Sequence, residues 1–301
     1  MGKDNIVYHY CSTDVFTKII SGKAIRLSDI TKSNDSMEIL WITKYLRDIF
    51  LEEFDKEVSA TQYFADGYPR KLFSELVDLY TYEFFRTDER MFSFMVCCFS
   101  EVGDLLSQWR GYADDATGFS IGFDADTFNK YCSSFDVPYY SFRKVIYSED
   151  KQKKQVRSYA KNLISKLKQL AKKAEKSIEE ESSEAFYVCF LNLFIMSINM
   201  KNPFFKEEKE WRLCYWNSLG SGTKLAINLI GSDLTVSDVK YYSRRNDVVP
   251  YIDLFFNSIE PSIIKDVVIG PKNRTSKKDI EDYLKNNGIV CNVRKSAGTY
   301  R

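Results

Sequence analysis

Strand-like segments lie toward both ends of this chain while helical periodicity fills its middle, and few folds accommodate that distribution. Apolar, β-branched or alternating stretches at residues 5–10, 24–28, 92–99, 118–123, 144–147, 210–216, 224–229, 249–256, 265–269 and 289–294 read as strands. The run 92–99 is continuously apolar without a helical period, as a central strand requires. Helical spacing covers 37–58, 70–85, 104–110, 276–285 and a long region 150–200 that breaks near 180–183. Ser12 or Thr13 can cap a further helix that Gly22 stops. No repeat or low-complexity linker interrupts the chain. The pattern predicts an α+β fold forming one domain over 1–301. Its core sheet is drawn from about 5–30, 92–148 and 208–294, with helical insertions at about 37–86 and 150–200.

Hydrophobic residues at 44% allow a substantial core, and the 22 Phe and 20 Tyr make it an aromatic one. The most apolar run, residues 185–198, is about 14 long and contains Asn192, whereas a membrane span needs about 20. It reads as a buried helix, with no membrane partner expected. No secretory signal is visible, and the seven scattered cysteines form no CxxC pair, so they read as reduced core thiols of a cytoplasmic protein. A single histidine makes a Cys/His zinc site improbable, and no metal is expected. The net charge of +1 supplies no global field toward nucleic acid or membrane. Charge is nevertheless segregated: acids outnumber bases over 29–90, while twelve Lys/Arg face three acids over 143–176. The basic stretch reads either as the wet face of an amphipathic helix or as a cationic surface for a phosphate-bearing partner.

His9, the only histidine, stands between Tyr8 and Tyr10 at a strand end. Any Ser-His or Cys-His catalyst would have to use it, yet no GxSxG elbow exists to receive it. Walker and GxGxxG loops are also absent. The segment from Phe99, Ser100 and Glu101 through Asp104, Gln108, Trp109, Arg110 and Tyr112 places polar groups at the end of the central strand, where they tend to line a cleft. Trp109 and Tyr112 share a helical face, as an aromatic wall or as core. In Glu208-Lys209-Glu210-Trp211-Arg212, alternation puts Glu208, Glu210 and Arg212 on one face and Trp211, Leu213 and Tyr215 on the other. The Glu–Arg pair also reads as an ordinary cross-strand ion pair.

Together these segments resemble the bacterial family labelled domain of unknown function 2971. The resemblance is carried by the Tyr-His-Tyr start, Arg26-Leu27-Ser28 with Asn34-Asp35, the segment from Phe99 to Ala113, the Glu-x-Glu-Trp-Arg strand and the Ile269-Gly270-Pro271 turn. The order of elements is in turn similar to ADP-ribosyltransferases, especially DarT-like toxins. That similarity implies an ADP-ribosyltransferase-like split sheet and NAD as substrate. It implies Glu210 as catalytic carboxylate, His9 on the nicotinamide-side ribose, and Ser100 with Tyr112 around the nicotinamide. Tyr10, Arg26, Ser28, Asn34, Phe99 and Trp109 complete the implied NAD-binding set. Glu101 stands where those proteins carry an NAD-contacting Arg, leaving Arg110 or Arg26 as substitutes.

The expected activity is therefore ADP-ribosyl transfer by a toxin or phage-defence effector onto a macromolecule, RNA or DNA before protein. An antitoxin or chaperone would restrain it. A single carboxylate suits an oxocarbenium-like sugar, without metal or covalent nucleophile. The alternatives are a catalytically silent NAD or nucleotide sensor within a defence system, and a Mg²⁺-dependent nuclease built on Glu207, Glu208 and Glu210.

Overall fold

The computed structural model describes residues 5–32, 40–60, 70–85, 92–133, 140–173, 178–218, 235–244, 246–257 and 263–300. The protein is α+β. Its strands are β1 (Ile6–Cys11), β2 (Ala24–Asp29), β3 (Phe92–Ser100), β4 (Phe119–Asp124), β5 (Tyr140–Lys144), β6 (Glu210–Ser218), β7 (Thr235–Val236), β8 (Lys240–Arg244), β9 (Asp247–Phe255), β10 (Ile264–Ile269) and β11 (Asn292–Lys295). Its helices are α1 (Thr13–Gly22), α2 (Thr43–Ala60), α3 (Arg70–Phe85), α4 (Leu106–Tyr112), α5 (Ala125–Ser133), α6 (Glu149–Lys173), α7 (Ile178–Ser197) and α8 (Lys277–Asn286).

The chain divides into two compact units. The first comprises Met1–Lys32, Phe92–Lys144 and Glu207–Arg301, and contains the sheet. Strand order runs β11-β10-β4-β1-β3-β2-β9-β7, with β6 also on β3, β5 on β6 and β8 on β9. Among the described strands, β10 and β11 pair in parallel and the other strand pairings are antiparallel. Alternation aims Val7 and Cys11 of β1, Cys97 and Phe99 of β3, and Leu213 of β6 at one core, which α1, α5 and α8 help cover with Phe16, Phe128 and Ile280. At the end of β1 the turn into β4 carries Asp114, Asp115 and Ala116 in left-handed backbone (φ 50°, 49° and 73°). A side chain on the following Gly118 would come within 2.0 Å of the Cys11 carbonyl, so only glycine closes this corner.

The second unit comprises Ser33–Met91 and Val145–Lys206 and contains α2, α3, α6 and α7. The helices expected as insertions thus gather around an aromatic core of their own: Phe54 stacks on Phe73 at 4.3 Å, and Phe190 lies 5.5 Å from Phe50. The apolar run 185–198 falls in α7, which buries Phe186, Phe190 and Phe194 here. No helix among the described residues is long and apolar enough to cross a membrane.

The basic stretch 143–176 has a structural explanation. Arg157 of α6 bonds Glu52 and Glu53 of α2, Lys161 lies 3.7 Å from Glu53, and Lys168 pairs with Glu57. The segregated charges meet across the α2–α6 contact, so much of the expected cationic face is neutralised.

Several expectations need correction. The strand expected at 144–147 lies earlier, at Tyr140–Lys144, because Phe142 packs on Trp211 at 5.0 Å and so fixes the register on β6. Helix α4 starts at Leu106 instead of Asp104, whose carboxylate is taken by Trp109 and Ser296. Helix α1 runs through Gly22, and Lys23 (φ 45°) supplies the left-handed cap. Helix α5 and strand β8 were not expected; Asp124 Oδ1 caps α5 by accepting the Asp126 amide at 3.0 Å. The strand expected at 224–229 lies outside the described residues.

Candidate functional site

Strand β3 organises the region where the sequence concentrates its polar motifs. One edge is paired along its whole length with β6, from Phe92 opposite Ser218 to Ser100 opposite Glu210. The other edge has two partners that touch it at different ends: β2 at Met95 and Val96, β1 at Ser100. Between them the edge at residues 97–99 lies between the two ladders.

His9 stands at this opening. Its Nδ1 is 3.0 Å from the Cys98 carbonyl oxygen and 3.5 Å from Cys97 Sγ, and its ring meets Phe99 edge-on at 5.8 Å. A carbonyl only accepts, so Nδ1 carries the proton and donates. Desolvation lowers the His9 pKa, partly opposed by the Cys98 carbonyl. The ring is therefore neutral near pH 7 and offers Nε2 as an acceptor.

The opposite face of the same strands carries a second constellation. Tyr8 lies opposite Ser100, and Ser100 opposite Glu210, so Tyr8, Ser100 and Glu210 share a face that excludes His9 and Phe99. Ser100 Oγ donates to the Glu208 carbonyl at 2.7 Å and accepts the Val102 amide at 3.1 Å. Tyr10 donates its hydroxyl to the Val102 carbonyl at 2.7 Å, accepts the Leu105 amide at 3.0 Å and meets Trp109 edge-on at 4.9 Å. Trp109 Nε1 in turn donates to Asp104 at 2.7 Å. A side chain on Gly103 would strike the Tyr8 ring at 2.4 Å.

Glu210 and Arg212 form a buried pair, with bonds of 2.8 Å from Nε and 3.1 Å from a terminal nitrogen; they are 4% and 0% exposed. Such pairs offset desolvation only when their geometry is good. Lys209 is left-handed (φ 44°), so Glu208 ends a 3₁₀ turn instead of continuing β6. The expected Glu-x-Glu alternation stops there, and Glu208 Oε1 instead accepts from the Tyr112 hydroxyl at 3.4 Å.

The structure therefore divides the expected set. Ser100, Tyr10, Glu210 and Tyr112 come together around the β3–β6 strand ends. His9 is on the other face, at the opening. Phe99 is core, T-shaped against Phe123 and Phe142, because β3 alternation turns it inward. Trp109 is 1% exposed and Tyr112 43%, so they form no aromatic wall. Tyr10 spends its hydroxyl on the 101–105 loop, and Ser100 ties that loop to the Glu208 carbonyl, which makes both supports of the loop. Arg26 lies on the outer side of β2, 3.6 Å from the Tyr251 ring centroid and 3.4 Å from Asp253. Ser28 pairs with Val96 and Tyr251. Asn34 lies outside the described residues. Glu101 accepts from Trp211 at 3.0 Å and from Lys144. Desolvation raises its pKa, and these bonds together with nearby cations bring the net shift down.

A cluster beside this region went unread. Asp266, 4% exposed, accepts Tyr8 at 3.1 Å, Asn292 at 2.7 Å and Arg294 at 3.2 Å. Its signal was a lone carboxylate inside the apolar strand IKDVVI, a residue type almost never buried without partners. Desolvation, with Asp266 adding to it, raises the Tyr8 pKa. Among the described residues, no group of three or more His, Cys, Asp or Glu side chains is placed to hold a metal ion.

Residues 108–213 match the family described as a protein of unknown function (DUF2971), a stretch that begins within α4 and ends within β6. No curated protein and no solved structure matches the chain.

Proposed function

We propose that this protein is an NAD-dependent ADP-ribosyltransferase of the toxin or phage-defence kind, acting on a macromolecule in the cytoplasm. The observation that carries this reading is the opening on β3 between β1 and β2, with His9 fixed at its edge. With Nδ1 engaged by the Cys98 carbonyl, Nε2 is the acceptor that a ribose hydroxyl of NAD would meet. At the same strand end Arg212 holds Glu210 as a carboxylate, because a guanidinium stays protonated even when buried. A carboxylate released toward the sugar would stabilise the cation that forms as nicotinamide leaves: the glycosidic C–N bond breaks, nicotinamide takes its electron pair, and an acceptor nucleophile closes the new bond and gives up its proton to solvent.

A second reading has its own observation. Both Glu210 oxygens are held by Arg212 on the face away from His9, an arrangement that favours a catalytically silent NAD or nucleotide sensor. The same engagement disfavours Glu210 as a magnesium ligand in a nuclease.

Incubation with labelled NAD and a whole-cell lysate separates the readings. A transferase labels one of the RNA, DNA or protein fractions, and Glu210→Gln lowers that labelling by about 10²–10³-fold, as removing one transition-state contact does elsewhere. NAD binding without label or free nicotinamide would sink the transferase reading and favour the sensor. Activity abolished by a chelator would overturn both.

A further inference from the structure

The face of the sheet that carries Glu210 continues across β2 onto β9 and β8. By register, Arg26 and Ser28 of β2, Tyr251 and Asp253 of β9, and Lys240, Tyr242 and Arg244 of β8 share it, while Ile252 and Leu254 turn to the core. The Tyr242 and Tyr251 rings meet at 5.6 Å, and the Arg26 guanidinium lies over both, 3.6 Å from the Tyr251 centroid and 5.2 Å from the Tyr242 centroid. Lys240 reaches Asp253 at 3.1 Å, and Lys32 reaches Asp247 at 3.0 Å. A cavity of about 420 Å³ lined by Lys32, Arg244, Asn246, Asp247 and Val249 extends the row. Four cations thus stand over two carboxylates, interleaved with aromatic rings.

We propose that this β2–β9–β8 face binds single-stranded nucleic acid, with bases stacking on Tyr242 and the Arg26 guanidinium and phosphates on Lys240, Lys32 and Arg244. Its placement as the acceptor path rests on the transferase reading; the binding itself does not. Exposed ion pairs such as Lys240–Asp253 contribute little to stability, so phosphates displace them readily. A guanidinium, like an aromatic ring, offers a planar face on which a base can stack. A duplex hides its base faces from such a platform, which selects single strands. Among these described residues cations outnumber carboxylates, which matches a polyanion and opposes an acidic protein partner.

The test is fluorescence anisotropy with a 15-nucleotide labelled RNA, the same sequence as single-stranded DNA, and its duplex, without NAD. The single strands should bind and the duplex should bind far more weakly; tighter binding of RNA than of DNA would assign a contact to the 2′-hydroxyl. Tyr242→Ala should weaken binding about tenfold, whereas Tyr242→Phe, which keeps the stacking face, should bind like the wild type. Lys240→Gln with Arg244→Gln should flatten the salt dependence by about 1.4 in slope. Lys166→Glu with Lys168→Glu on α6 should change neither. No binding by the wild type, equal binding of the duplex, or a loss caused by the α6 variant but not by Tyr242→Ala would overturn the proposal. Because NAD is absent, failure here leaves the transferase reading standing, and failure to transfer label leaves this one standing.

Discussion

Arg212 is fully buried, and it donates from Nε and a terminal nitrogen to the Glu210 carboxylate. Removing one member of a buried ion pair strands the other charge, so Glu210→Gln should cost about 3–5 kcal/mol of unfolding free energy. Replacing both, as Glu210→Leu with Arg212→Met, should be close to neutral by denaturant titration, since packed apolar groups often substitute well for such pairs. Equal losses from the single and double variants would mean that the pair is not acting as a unit. His9 yields a pH prediction of the same sign as a salt-bridged acid, in a higher pH window. Its pKa is lowered in the folded state, so the unfolded chain binds the proton more readily once pH falls below about 6.5. Stability should therefore fall between pH 7 and 5, and His9→Gln should remove that slope. The test is clean because the chain has no other histidine. A slope unchanged in the variant would show that His9 is not held neutral by its surroundings. The uniqueness of His9 was legible from sequence, but its face was not. One residue of register decides which side of a strand a group occupies, and the β1–β3 ladder that sets it joins residues about ninety positions apart.

Among the elements, those with strong local periodicity were read well: α3 at 70–85 and the central strand near 92–99 fall where their patterns put them. The polar β8, KYYSR, has little apolar alternation of its own and forms because β9 pairs with it. The basic α6 shows the same limit. Its charge was evident, but its partners lie on α2, about a hundred residues earlier. Glu53 is the centre of that contact, with side-chain bonds from Lys56 and Arg157, and Lys161 nearby. Desolvation raises its pKa, but these cations outweigh it and the net shift is downward. Its ion pairs thus contribute stability that is present above the ordinary carboxylate range and lost as pH falls through the lowered value. Glu53→Gln should lower stability at pH 7 by about 1–3 kcal/mol, and the gap to wild type should narrow as pH falls below the ordinary carboxylate range. A gap that stays constant on acidification would assign the loss to packing instead of charge.

At the scale of the whole chain, the two compact units are assembled from interleaved segments, three in one and two in the other. Sequence order alone groups the helices as insertions; it does not show that segments some sixty residues apart share a core. The aromatic content is the trace of that arrangement, because each unit builds its own aromatic cluster. In the first, Phe99 lies among Phe123, Phe128 and Phe142; in the second, Phe190 lies among Phe50, Phe84 and Phe186. Truncating either to alanine should cost about 3–5 kcal/mol. Amide exchange shows where that cost falls, since local opening reports the stability of each cooperative unit separately. Phe190→Ala should accelerate exchange in α2, α3, α6 and α7 while leaving β1, β4 and β10 protected, and Phe99→Ala should do the reverse. If either substitution accelerates exchange in all of these elements alike, the two cores open as one, and the division of the chain into separate cooperative units is wrong.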